Sequence, residues 1–326
     1  MAVSYHDTVT KLQAPDHAGS NPFDRADWFA LLEKHGAQPL VAVARDGENT
    51  LALPLERGSE GLRAMRHVFA FTWRPLVVAG EASPSLCEAV AKDLRSRAHR
   101  VTLDYLPEDV ADDLETAFRA AGRWIVRREP CDTNHILAVE GRSFADYWAQ
   151  RPGRMRTTLK RKAGKVDVEL TSDFSEGFWN EYKDIYAKSW KTEEKDIALL
   201  RDLARMEADA GRLRLGMARH EGVPVAAQLW TVENGTAFIH KLSYDEDYKR
   251  LSAGTTLTAA LMEQAIDRDR VALVDFGTGD DVYKADWMDR TRTRYTLTAV
   301  DPWQWRGAMF LFRKVLGRVA RPLAPR

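Results

Sequence analysis

The order of residues predicts a mixed fold of strands and helices, α/β or α+β, built twice along the chain. Three observations lead there. Strand-like and helical periodicities alternate throughout. Both halves share an element order: helix, antiparallel meander, helix, strand, further strand. One local pattern also recurs. Ala44-Arg45-Asp46-Gly47 with Leu51-Ala52-Leu53 after it is echoed by Ala218-Arg219-His220-Glu221-Gly222 with Val225-Ala226-Ala227 after it. In each copy a strand ends at Ala-Arg, turns at glycine and returns apolar, which reads as an internal duplication. A length of 326 residues suits two domains of about 150 residues each.

The first helix covers residues 24–35, with Asp24 as its cap and Trp28, Leu31 and Leu32 on one face. Strands at 39–45 and 50–56 flank Asp46-Gly47-Glu48-Asn49, which has the chemistry of a hairpin turn. A third strand covers 62–69. Then come a helix at 85–98, a strand at 100–105, a helix at 108–121, and strands at 124–128 and 134–139. The second half opens with a basic helix at 144–164 and a strand at 166–170. Helices at 176–191 and 195–211 follow, then strands at 213–219, 223–232 and 236–244. A helix at 254–268, a strand at 271–276, a polar loop at 277–289 and a strand at 293–300 complete it. The division falls near Glu140-Gly141-Arg142-Ser143, giving domains at 1–140 and 141–302 and a separate C-terminal helix at 303–326.

Formal net charge is zero, so the bulk composition does not call for DNA or another acidic polymer. The two cysteines, Cys87 and Cys131, match no metal or redox spacing. Residues 1–23 lack the basic start and apolar core of a signal peptide. No run approaches the ~18 apolar residues of a membrane span. These features predict a reduced, cytoplasmic protein with neither a bound metal nor a resident cofactor.

Two segments can carry chemistry. In the first, residues 244–261, a strand ends and a Ser252-Ala253-Gly254 turn opens a helix. Gly254 permits close approach of a ligand or of backbone. The free N–H groups of a helix start attract phosphate, and Lys249 and Arg250 add charge just before it. The same pattern also suits an ordinary helix start capped by Ser252 or Thr255. In the second, residues 274–287, glycines and acids follow an apolar strand, the position at which α/β sheets build sites. A loop started by Asp280 or Asp281 fits there equally.

Taken together, Ser252-x-Gly254-Thr255-x-Leu257 and Asp275-Phe276-Gly277-x-Gly279-Asp280-x-x-Tyr283-Lys284 resemble the FemAB-like branch of the GNAT superfamily, which includes the acetyltransferases first named for cellulose biosynthesis. The basic helix from Arg151 to Lys162 and the Ser189-Trp190-Lys191 segment resemble it too. The resemblance covers about residues 144–303, and the first half fits a degenerate GNAT repeat. It implies that the Gly254 turn, with Lys249, Arg250, Ser252 and Thr255, binds the pyrophosphate of acyl-CoA as a co-substrate. Lys249 to Gly254 keep one basic residue and one glycine of the usual Q/R-x-x-G-x-G/A loop. It also implies direct attack by an amine on the thioester, helped by a base and by oxyanion donors.

Four residues are candidates for catalysis. Asp280 can act as a base if buried. His240 lies on the central meander and titrates near neutrality. Tyr283 can donate to the oxyanion or to the leaving thiolate, and Lys284 can hold a phosphate or carboxylate. The cleft is expected between the Gly254 turn and the Asp280 loop, with His240 on its floor. Asp275 reads as structural. No serine nucleophile elbow occurs. The cations Arg154, Arg156, Lys160, Arg161, Lys162 and Lys165 suit either a solvated face or contact with a CoA phosphate, a lipid head group or RNA.

The C-terminal segment from Trp303 is basic, amphipathic and free of acids. It suits a helix lying in a membrane interface, or one docked on the second domain through buried Met309, Phe310 and Leu316. The functional expectation is an N-acyltransferase using acyl-CoA or an acyl-carrier thioester. Its acceptor is a small-molecule or lipid amine, including a cell-envelope precursor, or a hydroxyl as a variant. An aminoacyl-tRNA-dependent FemAB-type peptidoglycan aminoacyltransferase and a non-catalytic GNAT scaffold are the alternatives.

Overall fold

The computed structural model describes residues 1–12, 21–189 and 196–319, with side chains described to residue 313. Its first part runs β1 (Ala2–His6), α1 (Ala26–Lys34), β2 (Pro39–Asp46), β3 (Asn49–Gly58), β4 (Gly61–Ala64), β5 (Leu76–Ala79), α2 (Pro84–Leu94), β6 (Arg100–Leu106), α3 (Glu108–Ala120) and β7 (Ile125–Ala138). Then follow α4 (Phe144–Ala149), α5 (Gly153–Lys162), β8 (Asp167–Thr171), α6 (Glu176–Ala187), α7 (Ile197–Asp209), β9 (Leu213–His220), β10 (Val223–Glu233) and β11 (Thr236–Tyr244). The last part is α8 (Ala253–Glu263), β12 (Leu273–Asp275), α9 (Lys284–Trp287), β13 (Arg290–Val300) and α10 (Trp305–Val319).

Contacts divide the chain into two compact units, one of Met1–Asp132 with Thr293–Arg326 and one of Thr133–Arg292. The sequence-based divisions at 140 and 302 both lie further along the chain. The C-terminal residues join the first unit because β13 pairs antiparallel with β6, from Tyr295↔Leu106 to Val300↔Arg100.

The first unit is a meander of β1, β2, β3 and β4, with β6 parallel to β4 and β5 pairing with the start of β3 on the edge that β4 takes further along. The sequence reading did not include β1, a five-residue strand on β2. Asp24 does not cap α1. The helix starts later, and Asp24 accepts from Asn21 Nδ2 and lies 3.6 Å from Arg74 Nε.

The second unit orders its strands β8-β9-β10-β11-β12, followed by the end of β7. Both of its β-hairpins close on two-residue turns with positive φ at each position, Glu221-Gly222 and Asn234-Gly235. That is the type I′ geometry matching strand twist. The predicted helix at 144–164 is instead α4 and α5, because Pro152 has no N–H to continue the ladder and disfavours helical backbone at Arg151. Trp190 and Lys191 lie outside the described residues.

Strand alternation sends Ala237 and Ile239 of β11 into the core with Trp230, Leu257, Leu261 and Val274. Helix α8 packs on that face against β9 and β10, while α6 packs on β10 and β11. Gly216 of β9 lets α8 come close. A Cβ there would lie 2.8 Å from Leu257 Cδ1, 3.0 Å from Leu261 Cδ1 and 3.1 Å from Leu170 Cδ2. Gly216→Val should therefore lower stability by about 1–3 kcal/mol through overpacking, read as a lower urea midpoint at unchanged slope.

Candidate active site

The site is built where β11 and β12 meet. Their parallel pairing covers only Thr236↔Leu273 to Phe238↔Asp275, while β11 runs on to Tyr244 beside β10. Past Phe238, β12 no longer covers the β11 edge, because its chain turns away at Gly277 (φ 69°) and Gly279 (φ 93°).

At the far end of β11, a 3-10 turn at Glu246–Leu251 leads into α8. Ser252 joins the two in the left-handed region, φ 54° and ψ 37°, and its side chain does not cap the helix. Such a conformation costs a non-glycine residue about 1 kcal/mol or more. Ser252 Oγ accepts instead from Lys162 Nζ at 3.0 Å. The first N–H groups of α8 have no intrahelical acceptor by construction, so an ammonium and a helix start share one place. Gln228 of β10 holds this turn, donating to Gly254 O at 3.2 Å and Thr258 Oγ1 at 2.7 Å. Gln228 Oε1 accepts from Trp230 Nε1 at 2.9 Å. A Cβ at Gly254 would lie 3.4 Å from the Tyr244 ring, in ordinary van der Waals contact. Lys249 pairs with Glu246 at 3.4 Å, and Arg250 is exposed on the same turn.

The second group gathers around the end of β12. Asn134 of β7 is fully buried and donates to Asp275 Oδ1 at 2.7 Å and Gly277 O at 3.0 Å. Asp275 Oδ1 also accepts from Gly277 N at 2.8 Å, so the carboxylate ties β7 to the start of the loop. His135 Nε2 lies 2.7 Å from Asp280 Oδ1, with side chains 6% and 72% exposed. A carboxylate only accepts, so the facing Nε2 carries the hydrogen, and in the neutral tautomer of the ring Nδ1 has the lone pair. Asp280 is therefore not the buried base expected from sequence. It is a surface carboxylate that orients a buried imidazole.

Lys284 is buried, and its ammonium donates to the carbonyls of Thr278 and Gly279 and lies 3.8 Å from Asp281 Oδ2 over the Phe276 ring, bracing the loop. Tyr283 packs edge-on against Phe276 at 5.7 Å. Burial, and then the Asp281 charge, push its hydroxyl up to about 12. It therefore stays protonated at neutral pH and can donate. His240 lies on the face of β11 away from the α8 core, 2.7 Å from Thr231 Oγ1.

Helix α5 reaches both groups. Arg154 Nη2 contacts both Asp286 carboxylate oxygens at 2.6 Å, and Lys162 holds Ser252. Arg154 and Lys162 stand about 12 Å apart along the helix axis. Lys160, Arg161 and Lys165 remain exposed nearby. The sequence reading named neither His135 nor Gln228, and it gave Lys162 no specific place. The one available signal was the polar pair Asn134-His135 opening an apolar strand.

Residues 153–285 match the family model described as an acetyltransferase (GNAT) domain. Over that span, less than half of its length, the chain is similar to a GNAT acetyltransferase domain. The matched span holds Lys162, Gln228, the Gly254 turn and the Asp280 loop, and stops short of His135. Comparison with curated protein sequences finds no match. Among solved structures, FemX superposes with a TM-score of 0.64 at 10% identity, over 96% of this chain and 99% of that one. L-PGS from Bacillus licheniformis gives 0.57 at 12%, over 92% and 99%. A tandem GNAT protein from the clavulanic acid biosynthesis pathway gives 0.50 at 15%, over 89% and 91%. The fold is thus a tandem GNAT-like one, as the repeated element order implies.

Proposed function

We propose that the protein transfers an acyl group from acyl-CoA, or an acyl-carrier thioester, to an amine by direct attack. The observation that carries this reading is the β11 edge left uncovered past Phe238, leading to the α8 N-terminus with Lys162 on Ser252. A pyrophosphate fits the N–H groups of residues 253–255 and the Lys162 ammonium. The two amides of a pantetheine arm can pair with a strand edge as an added strand does. An extended arm, unlike a small anion, also covers the span that α5 bridges between the turn and the Asp280 loop.

The chemistry follows from that pose. The amine nitrogen attacks the thioester carbon, and His135 Nδ1, directly or through a water, takes the proton the nitrogen sheds. Backbone N–H groups of the β11 edge stabilise the oxyanion. As the C–S bond breaks, Tyr283 donates a hydrogen bond to the departing thiolate, and the proton taken up by His135 passes on to it or to solvent. The acceptor we favour is an amine on a lipid or cell-envelope precursor, a choice to which the L-PGS likeness adds support at the level of fold. A second reading, an aminoacyl-tRNA donor, is favoured by the exposed cations Lys160, Arg161 and Lys165 beside the same turn.

Thiol release from acyl-CoAs of graded chain length, with pooled amines and amino-lipids, tests the proposal. Acceptor-dependent release is expected, and Lys162→Ala should raise KM for acyl-CoA about 10-fold or more, the loss of one charge-assisted contact. Absence of release together with absence of thermal stabilisation by CoA overturns the thioester reading and turns the test to aminoacyl-tRNA.

A further inference from the structure

Helix α10 shows two faces with different fates. One is seated on the first unit. Gly307 is buried so tightly that a Cβ would lie 2.0 Å from Asp301 O. Gln304 Nε2 donates to Arg95 O at 2.9 Å and Ala98 O at 3.1 Å, and the Arg100 guanidinium lies over the Phe310 ring at 4.5 Å. Asp301 is fully buried, paired with Arg123 at 3.0 Å, and accepts from Trp303 N at 3.0 Å, which sets the angle at which the helix leaves.

The other face carries Trp305, Met309 and Phe312 at i, i+4 and i+7, one stripe of an α-helix. All three are exposed, Trp305 at 67% and Phe312 at 63%, and Trp303 just before them is 78% exposed. Met309 is therefore not the docking residue expected from sequence, and Leu316 lies beyond the described side chains. Folded proteins rarely leave contiguous large apolar side chains in water. Arg306 and Arg313 each lie within about 100° of this stripe on the helical wheel. After Asp301 the sequence has Arg306, Arg313, Lys314, Arg318, Arg321 and Arg326, with no aspartate or glutamate.

We infer that α10 is a membrane-docking element that lays this stripe into the surface of an anionic lipid bilayer. Charge complementarity selects that occupant. A stripe of tryptophan, methionine and phenylalanine enters the headgroup boundary while arginines and lysine meet lipid phosphates. Among the described residues no helix is long and apolar enough to cross a membrane, so the element lies along the surface. The seating through Gly307 and Gln304 holds the stripe outward before any membrane is met, so docking needs no unfolding. This inference is independent of the transfer chemistry assigned to the second unit.

Co-sedimentation of the full chain with vesicles tests it, comparing phosphatidylcholine alone with phosphatidylcholine containing phosphatidylglycerol. Binding should require phosphatidylglycerol and weaken at high salt. The double substitution Trp305→Ser, Phe312→Ser should reduce it about 10-fold or more. Both side chains face water, so circular dichroism and thermal midpoint should stay at wild-type values. Absence of binding to the anionic vesicles, or equal binding by the double variant, overturns the inference. So does self-association in solution that the same substitutions abolish, because the stripe would then cover a second copy of the chain.

Discussion

His135→Gln should lower kcat/KM for acyl transfer by about 10²–10⁴-fold, the range for losing a positioned general base. Glutamine keeps a polar group near Asp280 but has no basic nitrogen, so the protein should stay folded, with a thermal midpoint near wild type. Asp280→Asn should cost less, roughly five-fold, because the carboxylate is largely exposed and only orients the ring. Even so, its effect on turnover should exceed its effect on stability. Thiol-release kinetics and thermal melts on both variants check this. If His135→Gln loses stability and activity in equal measure, the imidazole merely packs. If it loses neither, the proton leaves by another path, and His240 beside Thr231 becomes the next group to replace.

Trp230→Ala should destabilise the second unit by about 3–5 kcal/mol, the usual cost of truncating a buried tryptophan. Trp230 is almost wholly buried, in the core that α8 covers. Its indole N–H also holds Gln228, which in turn holds Gly254 O and Thr258. The folded fraction should therefore bind acyl-CoA more weakly as well, because the anion seat loses its brace. Trp230→Phe separates the two effects. It keeps most of the ring but leaves Gln228 Oε1 without its buried donor, at a cost of about 1–3 kcal/mol. Urea midpoints for the three proteins check the order, and CoA-dependent shifts in those midpoints check the coupling. Equal losses for Ala and Phe would put the effect in the hydrogen bond and not in the packing.

The elements legible in the sequence were those whose signals are local. The meander at β9, β10 and β11 shows in alternating apolar residues broken by Glu221-Gly222 and Asn234-Gly235. The Ser-Ala-Gly start of α8 shows as a helix-opening turn. The strands were misjudged where pairing decides them. β1 is short and amphipathic, and only its hydrogen bonds to β2 make it a strand. The break at Pro152 was visible, but the helical periodicity on both sides outweighed it.

The site divides in the same way. Ser252, Gly254, Asp280 and Tyr283 could be named because each sits in a short motif. Their partners could not. Lys162 meets Ser252 across 90 positions, and His135 meets Asp280 across 145. Local periodicity carries no information about such pairs. They form because β7 adds beside β12 and α5 packs on α8.

By itself the sequence determined the duplication, the class of fold, the glycine-turn helix start and the acid-free C-terminal helix. These rest on residue spacing, backbone preference and charge, which act over a few residues. Only the tertiary structure decided that Asp280 serves a histidine, that Lys284 braces a loop, and that α10 turns its tryptophan stripe outward. Those outcomes depend on which distant groups burial brings together. A charge or lone pair withdrawn from water must find a partner wherever the packed chain supplies one.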